Sequence, residues 1–237
     1  MTTEAYDGRV ILVVGSRGLI GESLCKFFLA RGATVVGCSR TSMEIEHDRF
    51  RHHACSITDE RAVVGMFQHL ERSEIFPEIL ILGAAVSSTG MIAMVSSSDI
   101  DTVLSTNLRG ALFVIREAVK SMTRRRYGRV IVLSSIRVPK PVRGCVLYSL
   151  SKAALEQVVK VLPFEVGHLP ITFNAIEISM VGDGMAAGLS DEARAQLLNS
   201  LAVKRVCTTD DICNAVEFFA RPESSYVTGQ TLRLGFV

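Results

Sequence analysis

Tyr148-Ser149-Leu150-Ser151-Lys152 sets a phenol and an amine four residues apart. On a helix that spacing puts both on one face, one turn apart. A phenol exchanges protons with an alcohol–carbonyl pair only when its pKa, normally about 10, is lowered. A neighbouring ammonium lowers it by favouring the phenolate. Ser134-Ser135 closes an apolar run a short way upstream, so a hydroxyl at a strand end accompanies the pair. YxxxK by itself is common; its combination with that hydroxyl is what points to chemistry.

A second group is Gly15-Ser16-Arg17-Gly18-Leu19-Ile20-Gly21, directly after the apolar run Val10–Val14. Glycines between a strand and a helix permit a tight turn and let backbone amides approach a pyrophosphate at the helix N-terminus. The next apolar run ends in Cys38-Ser39-Arg40. A site for an unphosphorylated adenosine ribose usually carries an acid there. Here Ser39 holds the position and Arg40 follows. With Arg17, two guanidinium groups are available for a ribose 2′-phosphate, whose geometry they match. Two solvated surface arginines are the alternative.

These groups need a frame, and the hydrophobic pattern supplies one. Strands are expected at Val10–Val14, Thr34–Cys38, Glu78–Leu82, Arg129–Leu133, Ile171–Ile178 and Gln230–Leu234, and helices at Gly21–Arg31, Arg61–Glu71, Asp99–Thr123 (interrupted by Asn107 and Gly110), Tyr148–Glu165, Ser190–Ser200 and Asp210–Ala220. Strand–helix alternation implies a parallel sheet covered on both faces. The expected fold is α/β: a Rossmann-type doubly wound parallel sheet of about seven strands, in a single domain over 1–237. Ligands of such folds sit at the carboxyl ends of the strands.

Bulk properties narrow the function. The 237 residues are 48% hydrophobic and 21% charged, which specifies a packed core. A net charge of +2 and 6% aromatic residues without tryptophan argue against nucleic-acid binding. The six cysteines form no CxxC pair and no Cys/His set with zinc spacing, and the adjacent His52 and His53 lie far from other ligand types, so no metal site is expected. The start MTTEAYDG lacks the features of a signal peptide, and no apolar run is long enough to span a bilayer. The expectation is a cytoplasmic protein with reduced thiols and no membrane partner.

Taken together, these motifs resemble the short-chain dehydrogenase/reductase family in its single-domain branch, over essentially the whole chain. The tail LSDEARAQLLNSLAVKRVCTTDDICNAVEFFARPESSYVTGQTLRL is similar to that of bacterial β-ketoacyl-carrier-protein reductases. The resemblance implies a cofactor-binding part over about 8–135 and a catalytic and substrate part over about 135–237. It implies NADP(H) as cofactor and a catalytic set of Asn107 (in Asn107-Leu108-Arg109-Gly110, matching NxxG), Ser135, Tyr148 and Lys152. Tyr148 would donate a proton to a carbonyl oxygen that Ser135 orients. Lys152 would hold the nicotinamide ribose and lower the Tyr148 pKa, and Asn107 would hold a water linked to Lys152. Cofactor contacts are expected from Gly15, Ser16, Arg17, Gly18, Ile20, Gly21, Ser39, Arg40, Ser56, Ile57, Gly83, Ala84, Ala85, Tyr148, Lys152 and Val181.

The chain departs from the family pattern around the cofactor. The loop reads GxxGxxG rather than GxxxGxG, with Leu19 at the usual glycine position. The family's NNAG is Leu82-Gly83-Ala84-Ala85, the adenine-side acid is Ser56, and the Pro-Gly after the fifth family strand is Ile178-Ser179. Asp183 or Gly184 replaces the carboxamide-binding Thr, and the usual double glycine near the end is missing. Either the cofactor is held in an altered way or its binding is weakened; the intact chemistry residues favour the first.

Substrate signals are sparser. Arg137, Val138, Lys140 and Arg143 lie between Ser135 and Tyr148, in a segment that borders the substrate pocket of this fold. They suit either an anionic substrate or a solvated loop. Met180, Met185 and Leu189 are candidate apolar contacts of a lid over 181–200. Arg124-Arg125-Arg126 with Arg129 suits a helix C-terminus, and the matching region of the related reductases docks an acidic acyl carrier protein. The leading expectation is reduction of a β-ketoacyl thioester or polyketide-like ketone. A dehydrogenase of a small alcohol, sugar or steroid-like substrate, and a non-catalytic NADP-binding module, are the alternatives. Family members are usually homodimers or homotetramers paired through the long helices.

Overall fold

Val10–Val14 (β1) is an unbroken apolar run because both its faces are covered. The computed structural model describes residues 5–181, 190, 192, 195, 198, 199 and 201–235. β1 pairs in parallel with Thr34–Ser39 (β2) on one side and Ile79–Leu82 (β4) on the other. Phe50–Ala54 (β3) extends the β2 side. Gly128–Ser135 (β5), Ile171–Ile178 (β6) and Gln230–Arg233 (β7) extend the β4 side. The order β3-β2-β1-β4-β5-β6-β7 reverses direction between β1 and β4. The carboxyl edge of those two strands is therefore the place where a ligand crevice opens.

Two cores flank the sheet. Glu60–Arg72 (α2), Ala111–Arg125 (α4) and Val146–Val166 (α5) contribute Val63, Val114 and Leu155 to one. Leu19–Leu29 (α1) and Thr209–Ala220 (α6) contribute Leu24 and Val216 to the other. The doubly wound parallel sheet read from the sequence is the fold observed.

Three differences matter for the site. β3 is not among the strands read from the sequence. Its Phe-Arg-His-His-Ala run is mostly polar because it is an edge strand, with only Phe50 buried. The helix expected over Asp99–Thr123 comprises Ser97–Leu104 (α3), a π turn over Ser105–Gly110, and α4. π turns are rare and cluster at functional sites; this one carries Asn107. At its end a Cβ on Gly110 would lie 2.8 Å from the Ile57 carbonyl oxygen, so glycine is needed for α4 to pack there. The lid expected over 181–200, with Met185 and Leu189, lies almost entirely outside the described residues.

Candidate active site

The glycine loop turns where β1 ends. Gly15 adopts φ +88°, and a Cβ there would sit 2.7 Å from the Ala84 backbone nitrogen. Left-handed backbone and close approach both demand glycine at this point. The amides of Gly15 and Ser16 donate to the Cys38 carbonyl at 2.7 and 3.2 Å, fastening the loop to β2. Gly18 has an ordinary φ of −74° and stands at the N-cap of α1, where no side chain caps the helix. The first-turn amides of α1 are therefore donors without a side-chain partner. The displaced middle glycine of GxxGxxG thus keeps the helix N-terminus uncovered.

In front of the loop is a cavity of about 590 Å³, walled by the ends of four strands. Gly15, Arg17 and Gly18 line it after β1, and Ser39, Arg40 and Thr41 after β2. Ser56, Ile57 and Thr58 follow β3, and Gly83, Ala84, Ala85 and Val86 follow β4. Thr102, Ser105 and Thr106 close the far side. No acidic side chain is in the lining, and two arginines are. The residues present fit a phosphate-rich dinucleotide: open amides, two guanidiniums, a hydroxyl-rich wall and no like charge.

Of the expected cofactor contacts, Ser16, Ile20, Gly21, Tyr148, Lys152 and Val181 do not line this cavity. Ser16 is fully buried, its hydroxyl unpartnered among the described residues, at the spot a Cβ on Gly37 would touch. Gly21 is buried, and a Cβ there would overlap the Gly15 carbonyl oxygen, so only glycine fits. Val181 bridges to Cys207 beyond β6. Thr41, Thr58, Thr102, Ser105 and Thr106 were not read from the sequence, where isolated hydroxyl residues form no pattern.

The other group gathers at the end of β5. Tyr148 and Lys152 lie on α5, with the Lys152 Nζ 5.8 Å from the phenol ring centroid. The Ser135 side chain lies where it favours the Tyr148 phenolate, and its hydroxyl accepts from the Arg137 amide at 3.2 Å. Lys152 is 3% exposed, and its Nζ donates to the Leu133 carbonyl at 2.7 Å. Burial pulls its pKa down to about 8 against the attraction of Glu156. Burial pushes the Tyr148 phenol up, opposed by Ser135 and by Arg137. Desolvation is the largest influence on the phenol here, and the Lys152 ammonium donates to a backbone carbonyl beside it.

Asn107 is fully buried. Its carbonyl accepts from the Val86 amide at 2.7 Å, and its amide donates to the Val86 carbonyl at 2.8 Å and to Ser151 Oγ at 3.0 Å. Ser151 in turn donates to the Tyr148 carbonyl at 2.7 Å. Asn107 thus ties the segment after β4 to the first turn of α5. Below this, Ser134 donates to the buried Glu156, whose carboxyl pKa burial raises. Glu156 too escaped the sequence reading.

The residues expected to line a substrate pocket are scattered. Arg137 and Val138 follow Ser135, with the Val138 amide on the Ser135 carbonyl at 3.0 Å. Arg143 Nε lies 3.2 Å from Met91 Sδ. Met180 accepts at its carbonyl from the Cys207 amide at 3.1 Å. None of the four lines the cavity above. The basic cluster needs a correction. Arg129 is 1% exposed, and it donates to the carbonyls of Gly128, Pro170 and Pro222. It is a buried structural arginine, not a docking charge. Arg124 pairs with Glu71 at 3.2 Å and Arg125 stacks on Phe76 at 3.4 Å. The cluster precedes β5 and Ser135 ends it, so about 23 Å of strand separates the two. Among the described residues no group of three or more His, Cys, Asp or Glu could hold a metal, and no helix is long and apolar enough to cross a membrane.

Comparison with known proteins places this arrangement. A family model described as "Enoyl-(Acyl carrier protein) reductase" matches residues 15–234. Nodulation protein G of Rhizobium sp. (strain N33) is 30% identical, covering 96% of this chain and 95% of that protein. The 3-oxoacyl-[acyl-carrier-protein] reductase FabG of Escherichia coli (strain K12) is 26% identical, covering 97% and 96%. Among solved structures, an NAD⁺-bound xylitol dehydrogenase superposes with a TM-score of 0.91 at 22% identity, over 99% of this chain and 100% of that one. A 3-oxoacyl-[acyl-carrier protein] reductase from Brucella melitensis gives 0.86 at 22% identity, over 98% and 92%. With a strand-end glycine loop at the switch point and the Ser135, Tyr148 and Lys152 group beyond it, the chain belongs to the short-chain dehydrogenase/reductase family, in its single-domain branch, and is an oxidoreductase of that family.

Proposed function

We propose that this protein reduces a ketone to a secondary alcohol with NADPH, and that its substrate is a β-ketoacyl thioester or a polyketide-like ketone. The observation that carries the chemistry is the grouping of Tyr148 and buried Lys152 one helical turn apart, the Lys152 Nζ 5.8 Å from the phenol ring centroid, with Ser135 at the end of β5 acting on the same phenol. A nicotinamide dinucleotide, held by Gly15, Arg17, Ser39 and Arg40 at the strand ends, would supply hydride for such a reduction. Tyr148 gives a proton to the carbonyl oxygen, and Ser135 hydrogen-bonds that oxygen and orients it. Burial keeps the phenol protonated, which is the form a reduction requires. Lys152, with two ammonium N–H groups left beyond the one on the Leu133 carbonyl, would hold the nicotinamide ribose, and Asn107 fixes the approach of the Val86 segment to α5.

Arg17, Arg40 and the absence of an acid in the cavity support a 2′-phosphorylated cofactor. The thioester reading rests on the relatives named for 3-oxoacyl-[acyl-carrier-protein] substrates. We also infer a homodimer or homotetramer. On α5, Val146, Leu150, Val161 and Phe164 are exposed, Phe164 by 90%, and so is Leu112 of α4. An acyl carrier protein is the proposed delivery partner. The test is oxidation of NADPH and NADH against a panel of ketones that includes an acetoacetyl thioester. NADPH turnover with thioester preference is expected. Turnover of sugars or simple ketones alone would overturn the substrate class, and no turnover with any ketone would overturn the enzyme.

A further inference from the structure

We propose that His52 is a positioning residue for recognition of the 2′-phosphorylated adenosine end of the cofactor, acting through Ser39 and Thr41 on Arg17; this rests on the NADPH reading above. The parallel register pairs Gly37 with His52 and Ser39 with Ala54. Residues 37, 39, 52 and 54 therefore project from one face of the sheet, with Ser39 and His52 as diagonal neighbours. Ser39 Oγ lies 2.8 Å from His52 Nε2 and donates to the Thr41 carbonyl at 2.8 Å. A hydroxyl has one proton, and it is used on Thr41. His52 must then carry its proton on Nε2 and donate to Ser39.

The chain continues to the cavity. Arg17 Nη1 donates to Thr41 Oγ1 at 2.8 Å. This engages one of the five guanidinium N–H groups and leaves the rest for a phosphate. Arg17, Ser39 and Thr41 line the cavity; His52 stands behind them on β3 and does not. Arg17 is exposed, and without an anchor its long side chain samples many rotamers. The relay fixes the turn after β2, and through it the guanidinium, before a ligand arrives. Such preorganisation lowers the ordering cost of binding. Burial and the neighbouring His53 keep the His52 ring neutral, the form this donor role uses.

The test measures dissociation constants of 2′,5′-ADP and 5′-ADP by calorimetry on the full chain, unmutated and as His52→Ala, His52→Gln, Ser39→Ala and His52→Ala/Ser39→Ala. His52→Ala is expected to weaken 2′,5′-ADP about three- to tenfold, the scale of one side chain ordered on binding, and to leave 5′-ADP within about twofold. His52→Gln, which keeps an N–H donor, should restore most of the loss. The double variant should be no weaker than Ser39→Ala alone if His52 acts through Ser39. Equal weakening of both ligands, no weakening of either, or additive losses would each overturn the proposal. If the unmutated protein binds the two ligands alike, the NADPH reading itself falls, and that result is visible before any variant is compared.

Discussion

Replacing Lys152 by methionine should make the folded protein more stable while abolishing its activity. Lys152 is 3% exposed, and burial lowers its pKa from 10.5 to about 8. That difference corresponds to about 3 kcal/mol against the ammonium in the folded chain. Below pH 8 the side chain is protonated in both folded and unfolded states, so the full penalty is present. Between pH 8 and 10.5 the unfolded chain binds the additional proton, and stability rises with pH until both states are neutral. Methionine occupies a similar volume without the charge. It gives up the hydrogen bond to the Leu133 carbonyl, about 1 kcal/mol. Glu156 keeps the Ser134 hydroxyl. The net gain at pH 7 is about 2 kcal/mol, or about 4–8 °C in Tm for a chain of this size. The assay is thermal and urea unfolding of the cofactor-free protein at pH 7 and pH 10, at one protomer concentration because assembly shifts apparent stability. The gap should close by pH 10. A variant less stable than its parent at pH 7, or a gap independent of pH, would refute the reasoning that desolvation dominates at Lys152.

Tyr148→Phe should lower kcat by at least about a hundredfold while leaving NADPH affinity, measured by fluorescence titration, nearly unchanged. Gly110→Val places a Cβ 2.8 Å from the Ile57 carbonyl and should cost about 1–3 kcal/mol of stability, read as a lower urea midpoint. Arg129→Met removes the donor to three backbone carbonyls and should lower stability without altering the salt dependence of turnover. Neutralising Arg125 and Arg126 should instead lower kcat/KM for a carrier-bound thioester and spare a small free thioester. Added salt should mimic that change, because such steering is screened within about 8 Å at physiological ionic strength. Equal losses for both substrates would remove the carrier protein from the functional reading.

The sequence by itself determined whatever repeats along the chain. Apolar runs such as Val10–Val14 and Ile171–Ile178 declare buried parallel strands, because residues covered on both faces must all be apolar. The spacing of Tyr148 and Lys152 declares one helical face, and the glycines from Gly15 to Gly21 declare a tight strand–helix turn. Tertiary structure decided what depends on depth and on neighbours distant in sequence. β3 is hidden from pattern reading because its edge position relaxes the demand for apolar residues. The same formal charge is buried at Arg129 and exposed at Arg125, and no charge run distinguishes them. The direction of the Tyr148 pKa follows from how much water the fold removes, which helical spacing alone does not reveal. The contact of Ser39 with His52 exists only through the register of β2 on β3. Local spacing fixes which side chains share an element face; the packing of those elements fixes their solvation and their partners, and with these their chemistry.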